Sequence, residues 1–248
     1  MNILLLNAGS SSLKCTLIEA TNRKVIAHSL TDWAGPVTHY EYAGPDGREH
    51  AEAVAWRGHA EAVRRVLHDL QHAEPVALAG HSALAAVGHR VVHGGQFTSS
   101  VRITPAIRSR INALADLAPL HNPPSLETLA AAEAELPGVP QVAVFDTAFH
   151  ATLAPEAFTY PVPGSWTRDW GIRRYGFHGL SHAYCSRRAA ELLGRAPDGL
   201  RLVICHLGHG CSASAVRGGH SVDTTMGFTP LEGLMMGTRS GSIDPSIV

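Results

Sequence analysis

The sequence lacks the features that mark nucleic-acid-binding, membrane and disulfide-rich proteins. Its 20 Lys and Arg residues nearly balance 21 Asp and Glu residues, so no basic surplus attracts a polyanion. Its opening apolar run, residues 3–6, is interrupted by Asn7 and is too short for a signal peptide or a membrane span. Its four cysteines form no CxxC pair: Cys15, Cys185, Cys205 and Cys211. We therefore expect a cytoplasmic protein with reduced thiols that has no nucleic-acid or membrane partner.

What the sequence does contain is the pattern of an α/β fold. With 248 residues, 45% of them hydrophobic, it is long enough for one large or two modest domains. Helices are predicted at 58–72, from Thr104-Pro105 and from Asn122-Pro123-Pro124. Strands are predicted at 2–7, 13–19, 24–30, 87–93 and 141–145, and loops with at most short strands at 31–57. The last of these strands delivers Asp146 to its carboxyl end, where open α/β sheets place functional groups.

The second part of the chain repeats the order of the first. Residues 151–180, rich in Pro, Gly and aromatic residues, are interpreted as a long loop before a helix that Ser181 caps and that runs to residue 193. Strands at 200–207 and 211–216, and a third that ends near Asp223, repeat the N-terminal order of strand, Gly/Ser turn, strand, tight turn and strand. We expect a duplicated fold with domains at 1–150 and 151–248. Because Asp244-Pro245 is a good helix start with few residues after it, the second domain is expected to be incomplete.

Two glycine-rich turns are candidate phosphate-binding loops. The first is Asn7-Ala8-Gly9-Ser10-Ser11-Ser12-Leu13-Lys14, in which small residues let backbone N–H groups approach phosphate and Lys14 supplies charge. The second is His206-Leu207-Gly208-His209-Gly210-Cys211-Ser212. Taken alone, the first turn is equally well explained as a hairpin whose serines bond their own backbone. Two such turns on duplicated ribbons favour a polyphosphate ligand.

The 16 histidines raise the alternative of a metal-binding protein. Zinc accepts both thiolate and imidazole ligands, and four such residues lie within seven positions: Cys205, His206, His209 and Cys211. On a strand, however, Cys205 and His206 point to opposite faces, so the four side chains cannot converge without breaking the ribbon. This argument disfavours structural zinc.

Three further polar residues are candidate site residues, although each also has a structural explanation. His178 lies between Gly176 and Gly179, so the backbone there can approach a ligand; a buried, hydrogen-bonded histidine is the alternative. His182 lies four residues on, but no Glu stands between them as in a zincin motif. Arg90 and Arg239 suit either structural ion pairs or the binding of a carboxylate and a transferring phosphoryl group.

Seven segments, in order along essentially the whole chain, resemble the acetate kinase family. They are the loop at 7–14, HRVVHGG at 89–95, LAPLHNPP at 117–124, VFDTAFH at 144–150, RRYGFHGLSH at 173–182, VICHLGHGCSASAV at 203–216 and SVDTTMGFTPLEGLMMGTRSG at 221–241. The resemblance implies the duplicated ribonuclease H-like fold of actin, hexokinase and Hsp70, and a homodimer. It also implies Mg²⁺, or Mn²⁺ in its place, and reversible transfer of the γ-phosphoryl group of ATP to acetate, giving acetyl phosphate and ADP.

The resemblance further implies roles for individual residues. Catalysis is assigned to Asp146, His178 and Arg239. The acetate carboxylate is assigned to Arg90, and the pocket for its methyl group to Val92, Leu120, Phe177 and Pro230. ATP is assigned to Ser10, Ser12, Lys14, His206, Leu207, Gly208, His209 and Gly210. His121 is expected nearby, and Asn7 near the metal. Because a carboxylic acid with a pKa of about 4 is already ionised at neutral pH, no general base is needed, and we favour Asp146 as the residue that organises the metal.

Two departures from the family pattern leave alternatives open. Where the family usually has Gly-Asn-Gly, this chain has Gly208-His209-Gly210, which replaces a neutral amide with a titratable imidazole. The family also continues past the match to this chain, and that further part carries much of the adenosine site and a Glu metal ligand. The alternatives are a non-catalytic nucleotide-binding remnant and a kinase that prefers propionate, since one methylene is worth only about 1–3 kcal/mol in an apolar pocket.

Overall fold

The computed structural model describes residues 1–247, which form two compact units. Unit 1 comprises Met1–Val91 and Ser100–Val144. Unit 2 comprises Val92–Ser99 and the described residues from Phe145 onward. The division into domains at 1–150 and 151–248 stays a prediction, because compactness by itself does not identify the two halves of a duplicated fold.

The described part of unit 1 is built on an eight-stranded sheet. Its strands are β1 (Asn2–Ala8), β2 (Ser12–Glu19), β3 (Val25–Asp32), β4 (Thr38–Ala43), β5 (Glu49–Val54), β6 (Leu84–Val91), β7 (Val101–Arg102) and β8 (Gln141–Phe145). They are ordered β5-β4-β3-β2-β1-β6-β8-β7. Strand β1 pairs antiparallel with β2 and parallel with β6, and β7 pairs antiparallel with β8. The strand predicted at 141–145 is confirmed.

The core of unit 1 lies between this sheet and its helices. The helices are α1 (His59–His72), α2 (Pro105–Asn112) and α3 (Asn122–Glu135). Alternate residues of β1 and β2 are buried, as the period of two in a strand requires. They join the apolar stripe of α1 and residues of α3 in one cluster that includes Leu4, Leu13, Val63, Leu70 and Ala132. The helix predicted from the spacing of that stripe is confirmed, and so is the start of α2, where the Thr104 side chain accepts a hydrogen bond from the Ile107 N–H at 3.3 Å.

The prediction of loops with at most short strands at 31–57 was wrong. Strands β4 and β5, each six residues long, form an antiparallel hairpin that extends the sheet beyond β3. The Gly44-Pro45-Asp46-Gly47 cluster is its turn, closed by hydrogen bonds from the Gly44 N–H to the Arg48 carbonyl and from the Gly47 N–H to the Gly44 carbonyl. The turn residues were therefore predicted correctly, but the strands on either side of the turn were not.

Unit 2 contains helices and a three-stranded antiparallel sheet. The helices are α4 (Pro155–Phe158), α5 (Gly164–Trp170) and α6 (Gly179–Leu193), and the strands are β9 (Arg201–Leu207), β10 (Cys211–Arg217) and β11 (His220–Thr224). The strands are ordered β11-β10-β9, so the predicted ribbon with its two tight turns is confirmed. Two predictions need correction. Residues 151–180 contain α4 and α5 rather than loop alone, and α6 begins at Gly179 with His178 as its N-cap, so Ser181 lies inside the helix.

None of the helices in residues 1–247 combines the length and the apolar character that a membrane crossing requires.

Candidate active site

The first glycine-rich loop of unit 1 is a tight turn between β1 and β2. Its ends are set by the strand register, in which Asn7 pairs with Lys14 and Ala8 with Leu13. The Gly9 N–H closes the turn by donating to the Ser12 carbonyl at 2.8 Å. A Cβ at Gly9 would lie 2.7 Å from the Ser12 Oγ, so only glycine fits without a shift. Within this turn the side chains of Ser10 and Lys14 are exposed, as a phosphate-binding role requires.

His59, which lies in none of the sequence motifs, contacts the backbone of this loop. It is the first residue of α1, is 3% exposed, and its Nε2 lies 2.9 Å from the Gly9 carbonyl oxygen. Its Nδ1 lies 3.1 Å from a Glu127 carboxylate oxygen on α3. The ring therefore links the loop to α1 and α3. No motif surrounds His59, so only the three-dimensional contact identifies it.

Arg90 and Asn7 come together because β1 and β6 are parallel neighbours. The pairing of Leu6 with His89 puts Asn7 beside Arg90, and an Arg90 Nη1 donates to the Asn7 Oδ1 at 3.1 Å. The residues assigned by resemblance to the substrate carboxylate and to the metal are thus hydrogen-bonded to each other. The amide oxygen that would face a metal is held by a guanidinium.

The remaining predicted residues of unit 1 lie at the start of α3. His121 is its N-cap, and the Ser125 Oγ lies 3.0 Å from both the His121 and the Arg90 carbonyl oxygens. Ser125 thereby ties the end of β6 to the start of α3, a role that the sequence did not indicate. Leu120 is 68% exposed and is not part of the apolar core of this unit.

The second glycine-rich loop, in unit 2, joins β9 to β10. The Gly208 N–H donates to the Gly210 carbonyl at 3.1 Å, and the Cys211 thiol donates to the Gly208 carbonyl at 3.3 Å. His209 is exposed at the tip, where its ring would lie 3.5 Å from a Cβ at Gly237. In the part of the chain that the structure describes, no three His, Cys, Asp or Glu side chains group around a potential metal position.

His178 and Arg239 flank this second loop. A Cβ at Gly210 would lie 3.0 Å from the Arg239 Nη2 and 3.1 Å from the His178 Nε2. Arg239 is held by its Nη1, which donates to the Pro230 carbonyl at 2.7 Å. A guanidinium, an imidazole and a glycine backbone therefore share one side of the loop, as stabilisation of a developing phosphoryl charge requires.

The backbone of His178 adopts a conformation that most residues avoid. With φ of 57° and ψ of 21° it is left-handed, and among residues 1–247 only Arg23 is another non-glycine residue with positive φ. The following residue fixes this conformation, because the Gly179 N–H donates to the Asp146 carbonyl at 2.9 Å. Backbone strain of this kind clusters at functional sites.

Asp146 follows β8 at its carboxyl end, as predicted, and is 1% exposed. Its carbonyl oxygen accepts the hydrogen bond of the first N–H of α6, so the residue that follows the strand also sets the position of the helix that carries His182. A carboxylate and an amide are oxygen donors of the type that Mg²⁺ prefers, and a Mg²⁺ that keeps several waters needs only one or two of them from the protein. The Asp146 carboxylate and the Asn7 amide are each donors of that type.

Two residues of the predicted apolar pocket, Val92 and Phe177, belong to one buried cluster in unit 2. Their partners are Met226 and Met236, which the sequence reading did not single out, with Cys211 packed against them. Met226 is fully buried, and Met236 is 8% exposed. Thioether side chains adapt to irregular space, so the packing of this cluster can adjust. Pro230 is half-buried and contributes its carbonyl to Arg239.

His178 contacts a group of histidines and serines, of which His182 and Ser212 are fully buried. The Ser212 Oγ is 2.9 Å from the His178 Nδ1 and 2.8 Å from the His182 Nε2. The rings of His178 and His206 stack with centroids 4.1 Å apart, and the His206 Nδ1 lies 2.9 Å from the Ser181 Oγ. Burial lowers the pKa of His182 to about 4, and the nearby imidazoles of His150, His178 and His206 act in the same direction.

Comparison with known proteins gives consistent matches over the whole chain. The Acetokinase family profile matches residues 2–248. The acetate kinase of Caldanaerobacter subterraneus subsp. tengcongensis is 50% identical over 100% of this chain and 62% of the relative. The crystal structure of Porphyromonas gingivalis acetate kinase superposes with a TM-score of 0.88 at 40% identity, covering 99% of this chain and 62% of that one.

A propionate kinase from Francisella tularensis subsp. tularensis superposes with a TM-score of 0.90, also at 40% identity, over 99% of this chain and 62% of that one. The chain thus spans about 62% of the length of the relatives that it matches. These structures share the actin- and hexokinase-like fold, which confirms the predicted fold class.

Proposed function

The chain belongs to the acetokinase family, and on that premise we propose that it transfers the γ-phosphoryl group of ATP to acetate, reversibly giving acetyl phosphate and ADP. The observation that carries this proposal is the placement of His178 and Arg239 on one side of Gly210 in the second loop. Cationic and N–H donor groups beside a glycine-rich turn suit a phosphoryl group whose charge is spread over three oxygens.

In the proposed reaction, a carboxylate oxygen of acetate attacks the γ-phosphorus, and the bond from that phosphorus to the bridging oxygen of ADP breaks. Acetate is already ionised at neutral pH, so no residue needs to remove a proton. Catalysis then depends on positioning and on charge stabilisation. Arg239 and His178 supply that stabilisation, and Arg90 holds the acetate carboxylate, for which the forked guanidinium is suited.

The nucleotide and the metal use the two glycine-rich turns. Ser10, Ser12 and Lys14 of the first turn and residues 206–210 of the second bind the ATP phosphates. Asp146 and Asn7 are the residues that would hold Mg²⁺, which when bound neutralises phosphate charge. The hydrogen bond from Arg90 to Asn7 leaves the second lone pair of the amide oxygen for this purpose. We also propose that the protein is cytoplasmic and forms a homodimer.

A preference for propionate is the second candidate, and the methionines of the apolar cluster are the reason to test it. Val92 and Phe177 pack against Met226 and Met236, whose flexible side chains can make room for one more methylene. The likeness to a solved propionate kinase at 40% identity points the same way.

The test is trapping of the acyl phosphate as a hydroxamate, with Mg²⁺, ATP and either acetate or propionate. It should be run on this chain and on the chain joined to the part of the Caldanaerobacter relative that it does not match. We expect Arg239→Ala to lower kcat roughly 100- to 1,000-fold and Arg90→Ala to raise the KM for acetate roughly 10- to 100-fold. Arg217→Ala, an exposed arginine at the end of β10, is the matched control.

The proposal fails if neither protein forms an acyl phosphate, or if the three arginine variants behave alike. Binding of ATP without any transfer in either protein would instead indicate a non-catalytic nucleotide-binding protein. The ratio of kcat/KM for the two acids decides between acetate and propionate.

A further inference from the structure

Ser212 lies between two histidines and has one proton to give. It is fully buried, its Oγ is within hydrogen-bond distance of the His178 Nδ1 and the His182 Nε2, and in residues 1–247 it has no other acceptor for its hydroxyl proton. A hydroxyl can donate only one hydrogen bond. One histidine must therefore donate to Ser212 while the other accepts from it, since two donating rings would leave the buried hydroxyl proton unsatisfied.

His182 decides the direction of this chain of hydrogen bonds. Its ring is fully buried, and its Nδ1 is without a hydrogen-bond partner among the described residues. A proton on that nitrogen would be a buried N–H with no acceptor, whereas the bare nitrogen leaves only an acceptor unsatisfied, which proteins tolerate better. The groups that act on the His182 ring are His150, His178, His206 and Asp146, and burial keeps the ring neutral at neutral pH. The single ring proton of His182 is then on Nε2, where it donates to Ser212.

We propose that Ser212 and His182 are positioning residues that hold the ring proton of His178 on Nε2. His182 donates to Ser212, and Ser212 donates to the His178 Nδ1, so the remaining proton of a neutral His178 lies on Nε2. That edge of the ring faces Gly210 beside Arg239. The inference rests on the proposed function for the identity of the acceptor, which is an oxygen of the transferring phosphoryl group.

The position of the ring protons can be measured without any activity. Long-range ¹H–¹⁵N spectra of the ¹⁵N-labelled chain at neutral pH distinguish a protonated from a bare ring nitrogen, and His178→Asn and His182→Asn variants assign the two sets of signals. We expect Nε2 to be protonated and Nδ1 bare in both rings. A proton on the Nδ1 of either ring would overturn the proposal, and this result needs no variant of Ser212.

The consequence for catalysis is tested by Ser212→Ala against Ser214→Ala. Both serines are buried on the same face of β10, but the Ser214 Oγ hydrogen-bonds to the Thr224 Oγ1 instead of to a histidine. In the active form of the protein, we expect Ser212→Ala to lower kcat roughly 10- to 100-fold with both KM values within about twofold. Ser214→Ala should leave kcat close to that of the parent. An equal fall in kcat in the two variants, or a rise in KM with kcat unchanged, would show that Ser212 has only a structural role.

Failure of the proposed function would be recognised separately. If no acyl phosphate is formed by any version of the protein, the phosphotransferase proposal falls, while the spectra still decide where the ring protons lie.

Discussion

Replacing Gly179 by alanine should separate helix α6 from the end of β8. A Cβ at this position would lie 2.0 Å from the Asp146 carbonyl oxygen and 2.9 Å from the Phe149 Cβ. Neither atom is the end of a flexible side chain, so the first turn of the helix has to move. Forced shifts of this kind cost about 1–3 kcal/mol, and the hydrogen bond from the Gly179 N–H to Asp146 is worth about 0.5–1.5 kcal/mol. We expect the free energy of unfolding to fall by about 2–4 kcal/mol.

Gly164→Ala is the matched control, because Gly164 is the first residue of α5 and nothing lies within 4 Å of its Cβ position. Both substitutions gain the same intrinsic helix preference of alanine, so their difference isolates the clash. Urea unfolding followed by circular dichroism measures it, and with a slope of about 2 kcal/mol per molar the midpoint should fall by about 1–2 M. If the two variants unfold within about 0.5 kcal/mol of each other, the contact between α6 and Asp146 is not as described.

Three further predictions concern the loops and the buried histidines. His59→Ala should raise the KM for ATP severalfold and lower the free energy of unfolding by about 2–3 kcal/mol, and His72→Ala on the same helix should do neither. His209→Asn should lower the KM for ATP about two- to tenfold; steady-state kinetics with an unchanged KM would refute this. Burial holds the pKa of four histidines at about 4, below the ordinary 6.5, so the unfolded chain binds more protons between those values and stability should fall as the pH drops from 6.5 towards 4. These four are His89, His93, His150 and His182. Urea midpoints that stay level from pH 7 to pH 5 would contradict this predicted loss of stability.

Much of the fold could be predicted because its signals are local. The apolar stripe of α1, the Thr104 cap and the continuous apolar run of β8 each depend on neighbours in sequence, and each was confirmed. The hairpin of β4 and β5 was missed because its Gly/Pro-rich turn dominated the pattern, although Thr38, Tyr40 and Tyr42 alternate inward as a half-buried strand requires.

The start of α6 could not be predicted for a different reason. Ser181 is a good N-cap by composition, but the helix starts earlier because Asp146, distant in sequence, accepts the Gly179 N–H. The same limit applies to the site. Family motifs named His178, Arg239 and the two loops, whereas His59 and Ser125 lie in none of these motifs and matter through contacts that the fold creates. Ser212 belongs to the second loop, but its contact with His178 was not predicted.

The left-handed backbone at His178 also determines how substitutions there should be interpreted. Alanine at this position loses the imidazole and must hold a φ of 57° that a Cβ-bearing residue without a polar side chain rarely adopts. Asparagine enters that region far more readily and keeps a hydrogen-bonding group. A loss of activity in His178→Ala therefore combines two effects, and the part that belongs to the imidazole is the loss that His178→Asn shares. Few amino acids both adopt a left-handed backbone and provide a hydrogen-bonding side chain. The backbone therefore limits which substitutions at this position are compatible with the fold, whatever the reaction requires.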